Sequence, residues 1–190
     1  MSAINVTDKW VGFYEPFFPT PSEAQAFVER CESGPDHPPI KVMMHQAQRL
    51  VSLSDELWEL RRRDALQVLF LVICAECEAK LQAGFQGDGQ SKAYVKKFFA
   101  RFLSANDQIL MSSAFQRIGD FEPLTLEEAV DLLYDIRCDV VHEGQYWGFF
   151  FSDGDCPMVN PNHNTIARIS IKALRDLIVR ACICAIKTLL

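Results

Sequence analysis

Arg137 and His142 stand five residues apart in Tyr134-Asp135-Ile136-Arg137-Cys138-Asp139-Val140-Val141-His142-Glu143-Gly144, a run that is otherwise helix-periodic. A guanidinium presents a rigid fork of donors that fits a phosphate, and an imidazole changes charge near neutral pH. The pair therefore suits a reacting phosphate. It equally suits a structural role, in which the arginine meets a core carboxylate and the histidine closes a helix C-terminus, where the helix dipole favours a cation.

The element that positions the pair is readable. Thr125 with Glu128 has the spacing of a capping box, and the acidic residues Glu127, Glu128 and Asp131 suit the positive N-terminus of a helix running to about His142. Gly144 is the natural stop. At 100° per residue Leu126, Val130, Leu133, Arg137 and Val140 share one stripe, so Arg137 falls on a position the pattern assigns to the core. A buried arginine needs a carboxylate, a facing subunit or a bound anion, and Glu78 or Glu76 on the central helix could serve. His142 lies about 140° away on a regular helix. The two converge only through the arginine's length, a loosening of the helix before Gly144, or a second subunit.

The rest of the chain reads as one all-α domain, a single helical bundle without repeats or linkers. Its 190 residues, 49% apolar and 23% charged, are enough to fold without disulfides or metals. Residues 1–21, rich in aromatics and proline, suggest an extended arm that could cross to another subunit, followed by a helical domain over 22–190. Ser22 with Gln25 resembles a helix start. Helical periodicity runs over 40–50 and again over 55–81, and the stretch 66–75 is apolar nearly all round, as a buried central helix should be. Further helices are expected over 91–103, 107–118 and 171–190. Between Gly144 and the last helix, Asp153-Gly154 suggests a small hairpin or ordered loop.

Several function classes lose support. A net charge of -6 argues against a surface that coats nucleic acid, so any RNA contact must be local, at Arg61-Arg62-Arg63 or at Lys92, Lys96, Lys97 and Arg101. A solvated helix face is the simpler account of both groups. The longest apolar run is too short for a bilayer, and the start lacks a signal-peptide pattern, so a cytoplasmic protein is expected. Seven irregularly spaced cysteines agree with that compartment. Cys74-x-x-Cys77 lacks the second pair a structural zinc needs, Cys182 and Cys184 carry no metal signal, and His163, His37 and His45 stand alone. Neither a metal nor a cofactor is expected. Residues 84–89 lack the ending of a phosphate-binding loop. Tyr146, Trp147 and Phe149 to Phe151 could stack on unpaired bases, although core packing is the commoner use of such a run.

The Arg137-x4-His142 spacing near the end of a late helix resembles HEPN domains. Over about 55–190 the chain looks closest to the Apea-like HEPN group, through Glu76-Cys77-Glu78-Ala79-Lys80-Leu81, Val141-His142-Glu143-Gly144 and Ile169-Ser170-Ile171-Lys172-Ala173-Leu174. The resemblance implies a homodimeric, metal-independent endoribonuclease, or a silent descendant that binds nucleotide, RNA or a protein partner. It also implies a place in phage defence or a toxin system, with an antitoxin as one partner. Arg137 and His142 would be the catalytic pair, with Glu78, Asp139 and Tyr146 in support. The chain departs from the family in having Cys138 directly after the arginine, where Asn, Asp or His is usual. Tyr146 also lies four residues past the histidine rather than two.

Overall fold

A computed structural model describes residues 6–33, 38–60, 63–85, 87–154 and 156–190. Eight α-helices follow in order: α1 (Val6–Tyr14), α2 (Pro21–Ser33), α3 (Pro38–Glu56), α4 (Asp64–Gln82), α5 (Ser91–Phe102), α6 (Ala105–Ser113), α7 (Leu126–Cys138) and α8 (Ile171–Lys187). The centre is α4, which packs against α3, α5, α7 and α8. Its Val68, Leu71, Val72, Cys74 and Ala75 are all fully buried, as an almost uniformly apolar helix requires.

The bulk of the chain is helical, at 70% of the described residues, but not all of it. Strands β1 (Phe115–Arg117), β2 (Met158–Asn160) and β3 (Thr165–Ala167) form an antiparallel sheet in the order β1-β3-β2, with Phe115 and Met158 both opposite Ala167. The hairpin expected before the last helix is β2–β3, which turns through Pro161–His163. At Asp153-Gly154 there is only a single bridge from Asp153 to Cys156, and Asp155 lies outside the described residues. The helix expected over 107–118 runs over Ala105–Ser113 instead, because after Ala114 the residues Phe115–Arg117 pair with β3.

The sheet is fastened to the bundle by three rings. Phe149 and Phe151 pack against each other at 5.2 Å between centroids, and both against Phe115 at 6.2 and 6.0 Å. Asp64 accepts the Phe151 N–H at 2.8 Å, which ties this loop to the start of α4. Asn160 clamps Phe150 on both sides, accepting its N–H at 2.7 Å and donating to its carbonyl at 2.9 Å. Asn160 is only 2% exposed, so truncation strands two buried backbone groups. Asn160→Ala should lose about 2–3 kcal/mol of unfolding free energy, read from urea denaturation with an unchanged slope.

Two local expectations need correction. The segment expected as an extended arm is helical over Val6–Tyr14, while residues 1–5 lie outside the described ones. Pro16 does not oppose this, because it sits in the first turn of the short 3-10 stretch Glu15–Phe17, where its missing N–H costs nothing. Trp10, Phe13, Tyr14 and Phe17 recur at helical spacing and lie on the core, Trp10 stacking on His45 at 4.0 Å and the Tyr14 hydroxyl donating to the Met44 carbonyl at 2.7 Å. The second correction concerns α2. Thr20 caps it, accepting the Glu23 N–H at 3.3 Å, in place of Ser22 with Gln25. The capping box on α7 is as expected, with Thr125 and Glu128 reciprocally bonded.

Candidate functional site

The C-terminal end of α7 does not stop as a regular helix. Residues Asp139–Glu143 form one π-type turn, and Gly144 follows in the left-handed conformation at φ +66°. The Asp139 carbonyl accepts from the Gly144 N–H and also from the Gln145 N–H at 3.1 Å. A wider turn advances each residue by fewer degrees than an α-helix does, so the angle between Arg137 and His142 is narrower than regular geometry gives. Such wide turns are frequent at functional sites.

The core stripe of α7 is Ala129, Val130, Leu132, Leu133 and Ile136, which leaves Arg137 half-buried at its edge rather than at its centre. Its Nε is buried and has no hydrogen-bond partner among the described residues. One terminal nitrogen lies 4.0 Å from the Cys138 sulfur, and the guanidinium carbon is 5.6 Å from the centre of the Tyr134 ring. Among the described residues no carboxylate pairs with it.

Neither proposed partner on α4 reaches Arg137. Glu76 accepts from Lys80 and from Ser91, each at 2.7 Å. Glu78 is fully buried and both its oxygens lack a hydrogen-bond partner among the described residues. Burial pushes its carboxyl well above the ordinary carboxylate range, and Cys74 beside it adds to the effect. Glu78 is therefore a buried core group that makes no hydrogen bond to the motif among the described residues.

The other motif residues are accessible. His142 is exposed on the π-turn, and Asp139, three residues before it, is half-buried. Asp139 faces His163, whose Nε2 is 3.6 Å from the carboxylate. His163 arrives on the turn between β2 and β3 and is held edge-on against Phe149 at 5.4 Å. Sequence reading set His163 aside as a lone loop residue. Its only signal was a histidine in a polar turn, and the partner that gives it meaning is 24 positions away. Tyr146 stands edge-on to the exposed Trp147 at 4.7 Å and lies under the Arg63 guanidinium at 4.5 Å, so the N-terminal approach to α4 also borders this region.

No hydrogen bond joins Arg137 to His142 among the described residues. Two cavities, of about 390 and 370 Å³, lie elsewhere, and neither is lined by Arg137 or His142. The single chain therefore offers a half-buried guanidinium, an exposed imidazole and an aromatic margin.

The cationic groups noted as local RNA contacts behave differently. Lys92 lies 3.1 Å from Asp131, and Lys96 lies 2.8 Å from Glu127 and 3.0 Å from Asp131, so these two cations of α5 are paired with the acidic face of α7, while Lys97 lies over the Tyr94 ring at 4.8 Å and Arg101 donates to the Gln82 side chain at 3.3 Å. Arg61, Arg62 and His37 lie outside the described residues. All seven cysteines are free, and no group of three potential metal ligands occurs among the described residues. Among the described residues no helix is long and apolar enough to cross a membrane.

The class defined so far is a mostly helical bundle with a small antiparallel sheet against it. Compared with protein-family models, curated proteins and solved structures, the chain matches none.

Proposed function

We propose that the chain is a HEPN-type, metal-independent endoribonuclease in which Arg137 and His142 act on the RNA backbone, with two copies meeting so that both pairs line one cleft. What supports this most is that Arg137 keeps a guanidinium free of any carboxylate partner among the described residues, five residues from an exposed imidazole. A half-buried arginine without an internal counter-charge is ready for an external anion. His142 takes the proton of a ribose 2′-OH, the 2′ oxygen bonds to phosphorus, and the bond to the 5′ oxygen breaks as that oxygen gains a proton. Arg137 holds the equatorial oxygens as charge builds on them. Toxin or phage-defence duty, and control by an antitoxin, fit a destructive activity of this kind.

The test is purified chain incubated with RNA in EDTA. Fragments ending in 2′,3′-cyclic phosphate and 5′-hydroxyl are expected, and intact RNA across a range of sequences would sink the reading.

A second reading has its own support. Cys138 packs against the guanidinium where the family usually places Asn, Asp or His, and neither of the two cavities described is lined by Arg137 or His142. On that reading the fold is a silent HEPN module that binds RNA, a nucleotide or a protein, and Arg137 serves the subunit seam. Weakened self-association in Arg137→Ala, seen by analytical ultracentrifugation alongside RNA that the parent leaves uncut, would establish it over the first.

A further inference from the structure

The π-turn that presents His142 has few contacts of its own. Val140 packs partly on the core, whereas residues 141–145 are all exposed. Asp139, the first residue of the turn, holds it in two ways. Its backbone carbonyl accepts the Gly144 and Gln145 N–H groups, and its carboxylate lies 3.6 Å from the His163 Nε2.

The far side of that second contact is fixed by the sheet. The His163 ring stands edge-on to Phe149 at 5.4 Å, and Phe149 is buried against Phe115 and Phe151. Its backbone is held too, because the Thr165 hydroxyl donates to the His163 carbonyl at 2.6 Å and the Asn164 N–H to that of Pro161 at 3.0 Å. The imidazole is 15% exposed and the carboxylate 38%, so water screens the pair less than it would on an open surface. A side chain locked by packing on one side and paired on the other is the kind of support that keeps a neighbouring reactive group in place.

We propose that His163 is a positioning residue for His142: the β2–β3 hairpin grips the π-turn through the His163–Asp139 pair, and this sets where the His142 imidazole stands relative to Arg137. His163 acts through Asp139 and does not itself touch the reacting atoms. The inference rests on the reading of Arg137 and His142 as the reacting pair. It adds a requirement that the motif does not contain, namely that an element outside α7 be docked before the pair is in order. Rates respond steeply to such placement, since a displacement of about 1 Å in a reacting group can cost up to about 10²-fold.

The experiment uses the full chain and two readouts, one of which needs no cleavage. By NMR, His163→Leu, which keeps an apolar contact with Phe149 and removes the pair, should shift the His142 ring signals and speed amide exchange at Gly144 and Gln145 by about three- to tenfold, with the Leu133 amide unchanged. Asp139→Ala removes the same pair from the turn side, so it serves should His163→Leu fail to fold, and combining the two should add nothing. In RNA cleavage, His163→Leu should lower kcat by a similar factor at unchanged KM. His163→Gln, whose amide can donate to the carboxylate, should restore most of both readouts, and Val159→Thr, at an exposed position of the same hairpin, should alter neither. His142 signals and turn amides indifferent to loss of the pair overturn the proposal, whether or not RNA is cut. An active parent whose kcat ignores the substitution overturns it as well, as does a loss that His163→Gln fails to relieve. A parent that cuts no RNA sinks the reading of the reacting pair instead, and the NMR arm alone then decides whether His163 positions His142.

Discussion

His142→Ala should reduce the rate of RNA cleavage by about 10²- to 10⁴-fold while leaving the melting temperature where it was. The two halves of that expectation come from the same fact. His142 is exposed on the π-turn, so its imidazole contributes little packing, and its removal takes away a proton-transfer group without opening a cavity. Arg137→Ala should cost about 10²- to 10³-fold, the usual penalty for losing one group that stabilises developing negative charge. Arg137→Lys should recover only part of it, because an ammonium keeps the charge and loses the planar fork. The double variant should be little worse than the worse single one, since both act on one transition state. Cleavage that survives in His142→Ala would remove the proposed chemistry, whatever its effect on growth of cells expressing the chain.

The second large effect lies in the core. Glu78→Met should raise the unfolding free energy at pH 7 by about 1–3 kcal/mol, because a polar group without a partner is exchanged for an apolar one of similar bulk. The effect depends on pH in a defined direction. Burial raises the folded-state pKa of Glu78 above its unfolded value, so the folded chain holds a proton that the unfolded chain releases. From Glu78 alone, stability is full below the unfolded pKa near 4.5 and declines as pH rises toward the folded one. Glu32, Asp107, Glu128 and Asp131 have the opposite sign, since their partners lower their pKa values and their stabilisation is lost as pH falls. The measurement is therefore the difference between parent and Glu78→Met in urea, taken at each pH from about 4 to 7.5. A gap that widens with pH is expected, and a constant gap would show that Glu78 ionises in the folded chain as it does in water.

Much of what positions the motif is local and could be read directly. The Thr125–Glu128 cap, the apolar centre of α4 and the stop at Gly144 each depend on residues within a few positions of one another. What escaped depends on partners far away in the chain. Phe115-Gln116-Arg117 continues a helical pattern and becomes a strand only because Thr165–Ala167 lies beside it, about fifty positions on. The stripe of α7 was read with Arg137 inside it, and the packing of α4 and α5 turned it slightly, to centre on Leu133 and Ile136. In the N-terminal segment, the prolines outweighed an aromatic periodicity that was present at Trp10, Phe13, Tyr14 and Phe17. Glu78 shows the limit of charge matching by sequence: a carboxyl group and a guanidinium that could be drawn together sit in separate surroundings, one fully buried, the other at the surface edge.

The long reach between β1 and β3 also orders events in time. Helices α3 to α5 and the β2–β3 hairpin can form from contacts near in sequence, whereas the pairing of β1 with β3 must wait for a loop of about fifty residues to close, a slower step. His163 lies on the turn of that hairpin, so its place beside Asp139 is filled only when the hairpin meets the end of α7. During refolding, amides of α4 should gain protection from hydrogen exchange before those of Gln116 and Ile166, and simultaneous protection would contradict this sequence of steps. A newly made chain would thus pass through a stage that is largely helical while the surroundings of Arg137 and His142 are still incomplete.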